Sequence, residues 1–116
     1  AFHFDILDHT GRPVGGCNLR LGHSDALYYA GNIGYKIDEP YRGRHYAGKA
    51  CQLLFALARR QGMEYLIITC TPDNQASRKT CEWLGGELVE IAELPEDSEQ
   101  RRLTGESHRC IFQFSL

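Results

Sequence analysis

The segment Tyr41–Ala50, YRGRHYAGKA, constrains this chain more than any other, because it runs from a strand-like stretch (Asn32 to Ile37) straight into an amphipathic helix. A helix start leaves its first N–H groups without intrahelical partners and carries the positive end of the peptide dipole. A phosphate placed there is stabilised without further devices. Gly43 and Gly48 let the backbone bend and come close to a ligand, and Arg42, Arg44 and Lys49 crowd positive charge into the same turn. The segment therefore predicts a phosphate cradle, although a solvated basic loop leading into a helix would use the same residues.

Patterning on either side supplies the frame. FHFDILD (Phe2 to Asp8) alternates apolar and polar residues, HTGRP (His9 to Pro13) is turn chemistry, and VGGCNLRLG (Val14 to Gly22) resumes an extended run. After a loop at about His23 to Ala30, Gly31 to Ile37 forms a third strand, which suggests an antiparallel meander. The period then changes. Ala50, Leu53, Leu54 and Leu57 fall at helical spacing within a helix from about His45 to Gln61 that Gly62 stops. Tyr65 to Cys70, YLIITC, is an almost unbroken apolar run, as expected of a strand covered on both faces in mid-sheet. Asp73 or Asn74 caps a second helix to about Leu84, with Ala76, Thr80, Trp83 and Leu84 turned inward. Glu87 to Leu94 and Ser107 to Ser115 alternate as strands joined by the loop PEDSEQRRLTGE. The fold class is α/β (α+β), a mixed and mostly antiparallel sheet with two main helices in one domain spanning 1–116.

Composition narrows the function classes. With 116 residues the chain has material for one two-layer core. A net charge of −2 argues against general nucleic-acid binding, which needs a broad basic surface. No apolar run approaches the roughly 20 residues that span a bilayer, and no leader pattern opens the chain, so no membrane partner and a cytoplasmic setting are expected. The five cysteines are scattered singly, with no paired spacing and no histidine at ligand distance. They read as buried free thiols, and no metal is expected.

Two nucleotide-type motifs compete for the glycine-rich turn. GRHYAGK (Gly43 to Lys49) has the spacing of a Walker A loop, but Ala50 stands where a Ser or Thr hydroxyl should hold Mg²⁺. Read instead as R-G-R-H-Y-A, Arg42 to Ala47 resembles the acyl-CoA signature [Q/R]-x-x-G-x-[G/A] of the GNAT superfamily of N-acetyltransferases. Downstream, NQASRKTCEWLGG (Asn74 to Gly86) resembles the second motif of the Asn-x-x-Ser branch, matching at Asn74, Ser77, Glu82 and Gly85. The resemblance runs from about Gly31 onward. It departs at His45, which replaces the first family glycine, and at the N-terminus, where the family's first strand and two helices have no counterpart.

The resemblance implies acetyl-CoA as co-substrate and a primary amine on a small molecule or peptide as acceptor, joined in a ternary complex with direct attack on the thioester. Backbone amides of Arg42, Gly43, Arg44, His45, Tyr46, Ala47, Gly48 and Lys49 would then bind the diphosphate. Backbone groups around Ile37 would pair with the pantetheine arm, and Asn74 would reach it from the opposite side. Relatives often place a tyrosine, as proton donor to the departing thiolate, where this chain has Cys81; Ser77 is the alternative donor. Asp38, Glu39 and Glu82 are the candidate carboxylates, by neighbourhood only, to accept the amine proton; Tyr35 and Trp83 could line the site, but their spacing fits core packing better. An absent first strand would leave a sheet edge open to a homodimer. A noncatalytic acyl-CoA-binding or assembly module on the same fold is the competing expectation.

Overall fold

Alternation near the N-terminus builds the expected meander in the computed structural model, which describes residues 1–116. Strands β1 (Phe2–Leu7), β2 (Pro13–Leu19) and β3 (Ile33–Ile37) pair antiparallel in the order β1-β2-β3. Phe4, Cys17 and Tyr35 lie in cross-strand register on one face, and Asp5, Gly16 and Lys36 on the other. The apolar face receives helix α2 (Tyr46–Arg60), which follows a short 3₁₀ turn at Glu39–Tyr41.

The buried stripe of α2 is Ala47, Ala50, Cys51, Leu54 and Ala58. Leu53, expected on that stripe, is 75% exposed. Small residues at 47, 50, 51 and 58 let the helix lie close to the sheet, and that rotates Leu53 outward.

A second sheet, order β4-β6-β5, contains β4 (Tyr65–Cys70), β5 (Glu87–Glu93) and β6 (His108–Ser115), all paired antiparallel. Residues Leu66 to Cys70 of β4 are buried, as its apolar run predicts. One face packs into the main core with Phe112 and Phe114, and the other, through Ile67, packs under Tyr28 and Tyr29. β4 is an edge strand of its own sheet rather than the middle of a continuous one, because its junction with β3 is a single point. There the Asn32 N–H donates to the Ile67 carbonyl at 2.7 Å, and Asn32 Oδ1 accepts from the Ile67 N–H at 2.9 Å. Asn32 Nδ2 donates to the carbonyls of Arg20 and Gly22, each at 2.8 Å. No further backbone bond joins β3 to β4, so the two sheets part beyond this knot.

Two segments read as loops contain helices. Helix α1 (Asp25–Ala30) is capped by Ser24, and α4 (Glu99–Thr104) by Ser98, each hydroxyl accepting a backbone N–H three residues on. Six residues are too few to display a helical period. Helix α3 (Gln75–Trp83) starts at Asn74 as expected, but Ala76 is exposed and Trp83 is 46% exposed. Thr80 and Leu84 are partly buried as expected, and Ser77 and Cys81 complete the inward side.

Candidate active site

Where the sheets part, a cleft of about 600 Å³ opens. The end of β3 forms one wall with Tyr35 and Ile37; the α2 entrance forms the second with Arg42, Gly43, His45, Tyr46 and Ala47; α3 supplies Asn74, Ser77 and Thr80.

The α2 entrance is rich in unused donors. Its first helical bond runs from the Lys49 N–H to the His45 carbonyl at 3.0 Å, and no side chain caps the helix. The backbone N–H groups from Gly43 through Gly48 have no acceptor within the protein. Gly43 (φ 83°) and His45 (φ 62°) both adopt the left-handed conformation that turns these groups toward one side, and His45 is the chain's one non-glycine residue with positive φ. His45 thus follows a glycine's backbone path, at a cost of about 1–2 kcal/mol. Its ring stacks on Trp83 at 4.9 Å. Trp83 also lies over Gly48, where a Cβ would collide with the indole, so the missing side chain of Gly48 makes room for helix packing.

Across the cleft, Tyr35 Oη donates to Ser77 Oγ at 3.0 Å, and the Ser77 N–H donates to Asn74 Oδ1 at 3.2 Å. Burial pushes the Tyr35 phenol up to about 12, so it stays protonated at neutral pH. Spacing favoured the core over the site for Tyr35. Its alternation with Ile33 and Ile37 on the face that meets the helices, and the need of a half-buried phenol for a hydrogen-bond partner, were the available signals.

Not every expected site residue arrives. Arg44 and Lys49 point into a different groove, between β1 and α2, and leave Arg42 as the arginine of the cleft. Arg42 Nε donates to the Ile37 carbonyl at 2.9 Å, so that carbonyl is already engaged. Cys81 is fully buried in the main core, and its thiol is raised, first by desolvation and then by neighbouring thiols. All five cysteines are free and buried. Asp38 lines a basin on the opposite face of β1–β3, while Glu39 and Glu82 are exposed and line neither site.

The family model described as an acetyltransferase (GNAT) domain matches residues 1–87, a span holding both the Arg42–Ala47 turn and the Asn74–Ser77 cap. The chain belongs to the GNAT acetyltransferase domain family. Solved structures share its fold. A GNAT-family acetyltransferase from Bacillus anthracis superposes with a TM-score of 0.74 at 20% identity, over 99% of this chain and 66% of that one. The ribosomal-protein-S5-alanine acetyltransferase from Vibrio fischeri gives 0.70 at 19%, over 99% and 61%. The microcin C7 self-immunity acetyltransferase MccE, solved with acetyl-CoA and AMP, gives 0.66 at 22%, over 90% and 56%. This GNAT chain therefore spans about two thirds or less of the length of these neighbours. Comparison with curated proteins returned no match. No group of three or more His, Cys, Asp or Glu side chains is arranged to hold a metal ion, and no helix is long and apolar enough to cross a membrane.

Proposed function

We propose that this GNAT domain binds acetyl-CoA in the cleft between β3 and α3 and transfers the acetyl group to a primary amine by direct attack within a ternary complex. One observation carries the reading. The unpartnered N–H groups of Gly43 through Gly48 converge at a helix start beside the gap between the sheets. Such donors fit a diphosphate, with each hydrogen bond contributing on the order of 1 kcal/mol and the helix dipole a similar amount. Arg42 adds a fixed charge at the same entrance. Acetyl-CoA supplies an activated acetyl thioester; the protein's own groups orient it and manage protons.

For the departing thiolate, Ser77 is the better placed of the two donors named from sequence, since Cys81 is sealed in the core. Tyr35 donates to Ser77 Oγ, which leaves the serine proton free to turn toward the cleft, and the phenol then replenishes it. The amine, protonated in water at neutral pH, must lose a proton before attack. Of the carboxylates named from sequence, Asp38 is the one we assign to accept it, because it follows β3, whose Tyr35 and Ile37 line the cleft, and itself lines a basin. The likeness to acetyltransferases of a ribosomal protein and of microcin immunity supports a peptide or small-molecule amine as acceptor.

Calorimetry with acetyl-CoA, followed by a thiol-release assay against mixed amines, tests the proposal. Binding with release supports it. Absence of binding overturns it, and binding without release for any amine favours the noncatalytic acyl-CoA module. Tyr35→Phe should keep acetyl-CoA affinity within about twofold while lowering kcat by roughly 10²-fold, the lower range for a positioned acid.

A further inference from the structure

On the face of the sheets opposite the cleft, one arginine from each sheet carries a buried Nε without a partner. Arg20 follows β2 and extends over Gly34: a Cβ built at Gly34 would stand 3.1 Å from Arg20 Nη2 and 3.1 Å from Asn18 Nδ2. Arg109 comes from β6, donating through Nη2 to Thr69 Oγ1 at 2.9 Å and through Nη1 to Glu106 Oε2 at 2.8 Å. Thr69 Oγ1 in turn donates to the Tyr29 carbonyl at 2.8 Å, so its hydrogen is committed.

The charges here do not balance. Glu106 is engaged by Arg109, and Arg20 has no ion pair and no side-chain hydrogen bond. Arg20 Nε, Arg109 Nε and Asn18 Oδ1 are all buried without partners. Asn18 Oδ1 accepts from none of the five Arg20 donors, and a neutral amide compensates no charge. Burial and then the neighbouring Arg109 charge hold the Arg20 guanidinium below its ordinary pKa. A half-buried guanidinium with no carboxylate of its own, beside a second arginine whose carboxylate is already taken, is open to an anion from outside the protein.

We propose that Arg20, with Arg109 behind it and Gly34 as its floor, is a carboxylate site that selects amine acceptors bearing a carboxylate. This rests on the transferase reading above. Successive strand residues face opposite ways, so Gly34 opens onto this side while its neighbour Tyr35 lines the cofactor cleft. Gly34 and Asn18 also border the basin of about 590 Å³ that Asp38 lines. An acceptor held by its carboxylate at Arg20 can therefore present an ammonium toward Asp38. Arginine suits the task because its planar fork meets both carboxylate oxygens at once.

The test separates this site from the cofactor cleft. The 116-residue chain is titrated with succinate, succinamide and inorganic phosphate at constant ionic strength, reading Tm and the Arg20 Nε–H resonance. Succinate should raise Tm saturably and shift that resonance while succinamide does neither, and Arg20→Gln should abolish the effect without lowering the ligand-free Tm. Equal responses to succinate and succinamide, no saturation, or a response that survives Arg20→Gln would overturn the site. Tighter binding of phosphate than of succinate would reassign it to a phosphoryl group and overturn the carboxylate reading. In turnover, an amino-terminal tripeptide acid should have a KM about tenfold below its C-terminal amide, a preference lost in Arg20→Gln with kcat on the amide unchanged. Because the succinate titration needs no acetyl-CoA, a chain that fails to bind acetyl-CoA can still pass it, and the reverse.

Discussion

The two ends of helix α2 are built on opposite principles. At its C-terminus the Gln61, Gly62 and Met63 N–H groups all donate back to the last-turn carbonyls, and Arg59 and Arg60 sit where the dipole favours positive charge. At its N-terminus no side chain caps the helix, no acidic residue occupies the first turn, and His45 is held in a left-handed conformation. The shorter helices sharpen the contrast, since Ser24, Asn74 and Ser98 each cap theirs. The longest helix is thus the one whose start is left unsatisfied. One end serves folding, and the other keeps its donors for something outside the protein.

That contrast can be broken most forcefully in the core. Leu54→Ala, in the buried middle of α2, should destabilise by about 2–5 kcal/mol in a urea titration while leaving acetyl-CoA affinity within about twofold. A matching loss of affinity in the folded variant would show that the two ends are not separable. The open start should respond in the other direction: acetyl-CoA at one hundred times its Kd should stabilise by about 2.7 kcal/mol, and Arg42→Glu should remove most of that gain. No ligand-dependent rise in Tm would end the comparison.

Alkali separates core from surface next. Burial raises Cys51 to about 12 and Cys70 to about 11, each from 9.0. Between pH 9 and these values the unfolded chain releases thiol protons that the native state keeps, so stability falls as pH rises, by on the order of 1 kcal/mol per pH unit per thiol. Flat stability from pH 9 to 11 would contradict the burial of these thiols. The smallest effects compare the helix starts directly. Asn74→Ala should destabilise by about 1 kcal/mol through loss of a cap. His45→Gly should instead stabilise by up to about 1 kcal/mol by releasing backbone strain, less whatever the Trp83 stack contributes. A loss at His45 as large as that at Asn74 would mean the two starts are alike.

Long, uniform patterns were legible in the sequence. YLIITC gave β4 its observed bounds because five consecutive buried positions, Leu66 to Cys70, leave no competing period. Gly62, at φ 87°, stops α2 where the pattern placed the stop. The Arg42–Ala47 turn and the Asn74 cap were legible because both are local in sequence. What escaped depended on packing between distant segments. Trp83 looked like a core residue by its helical spacing, yet it covers Gly48 and His45 at the surface. Arg44 and Lys49 sit two and seven residues from Arg42, and the bend before α2 and the turn of the helix itself carry them to another groove. The Tyr35–Ser77 bond spans 42 residues, and the unpartnered Nε atoms of Arg20 and Arg109 come from two different sheets, so no local pattern encodes either.

Trp83 gives the cleft an optical consequence. It is the chain's sole tryptophan, and its indole rests on the imidazole at the mouth of the site. Its fluorescence is therefore a built-in gauge of that entrance, free of background from any other indole, and a rapid-mixing experiment can follow arrival and departure there without a dye or a label.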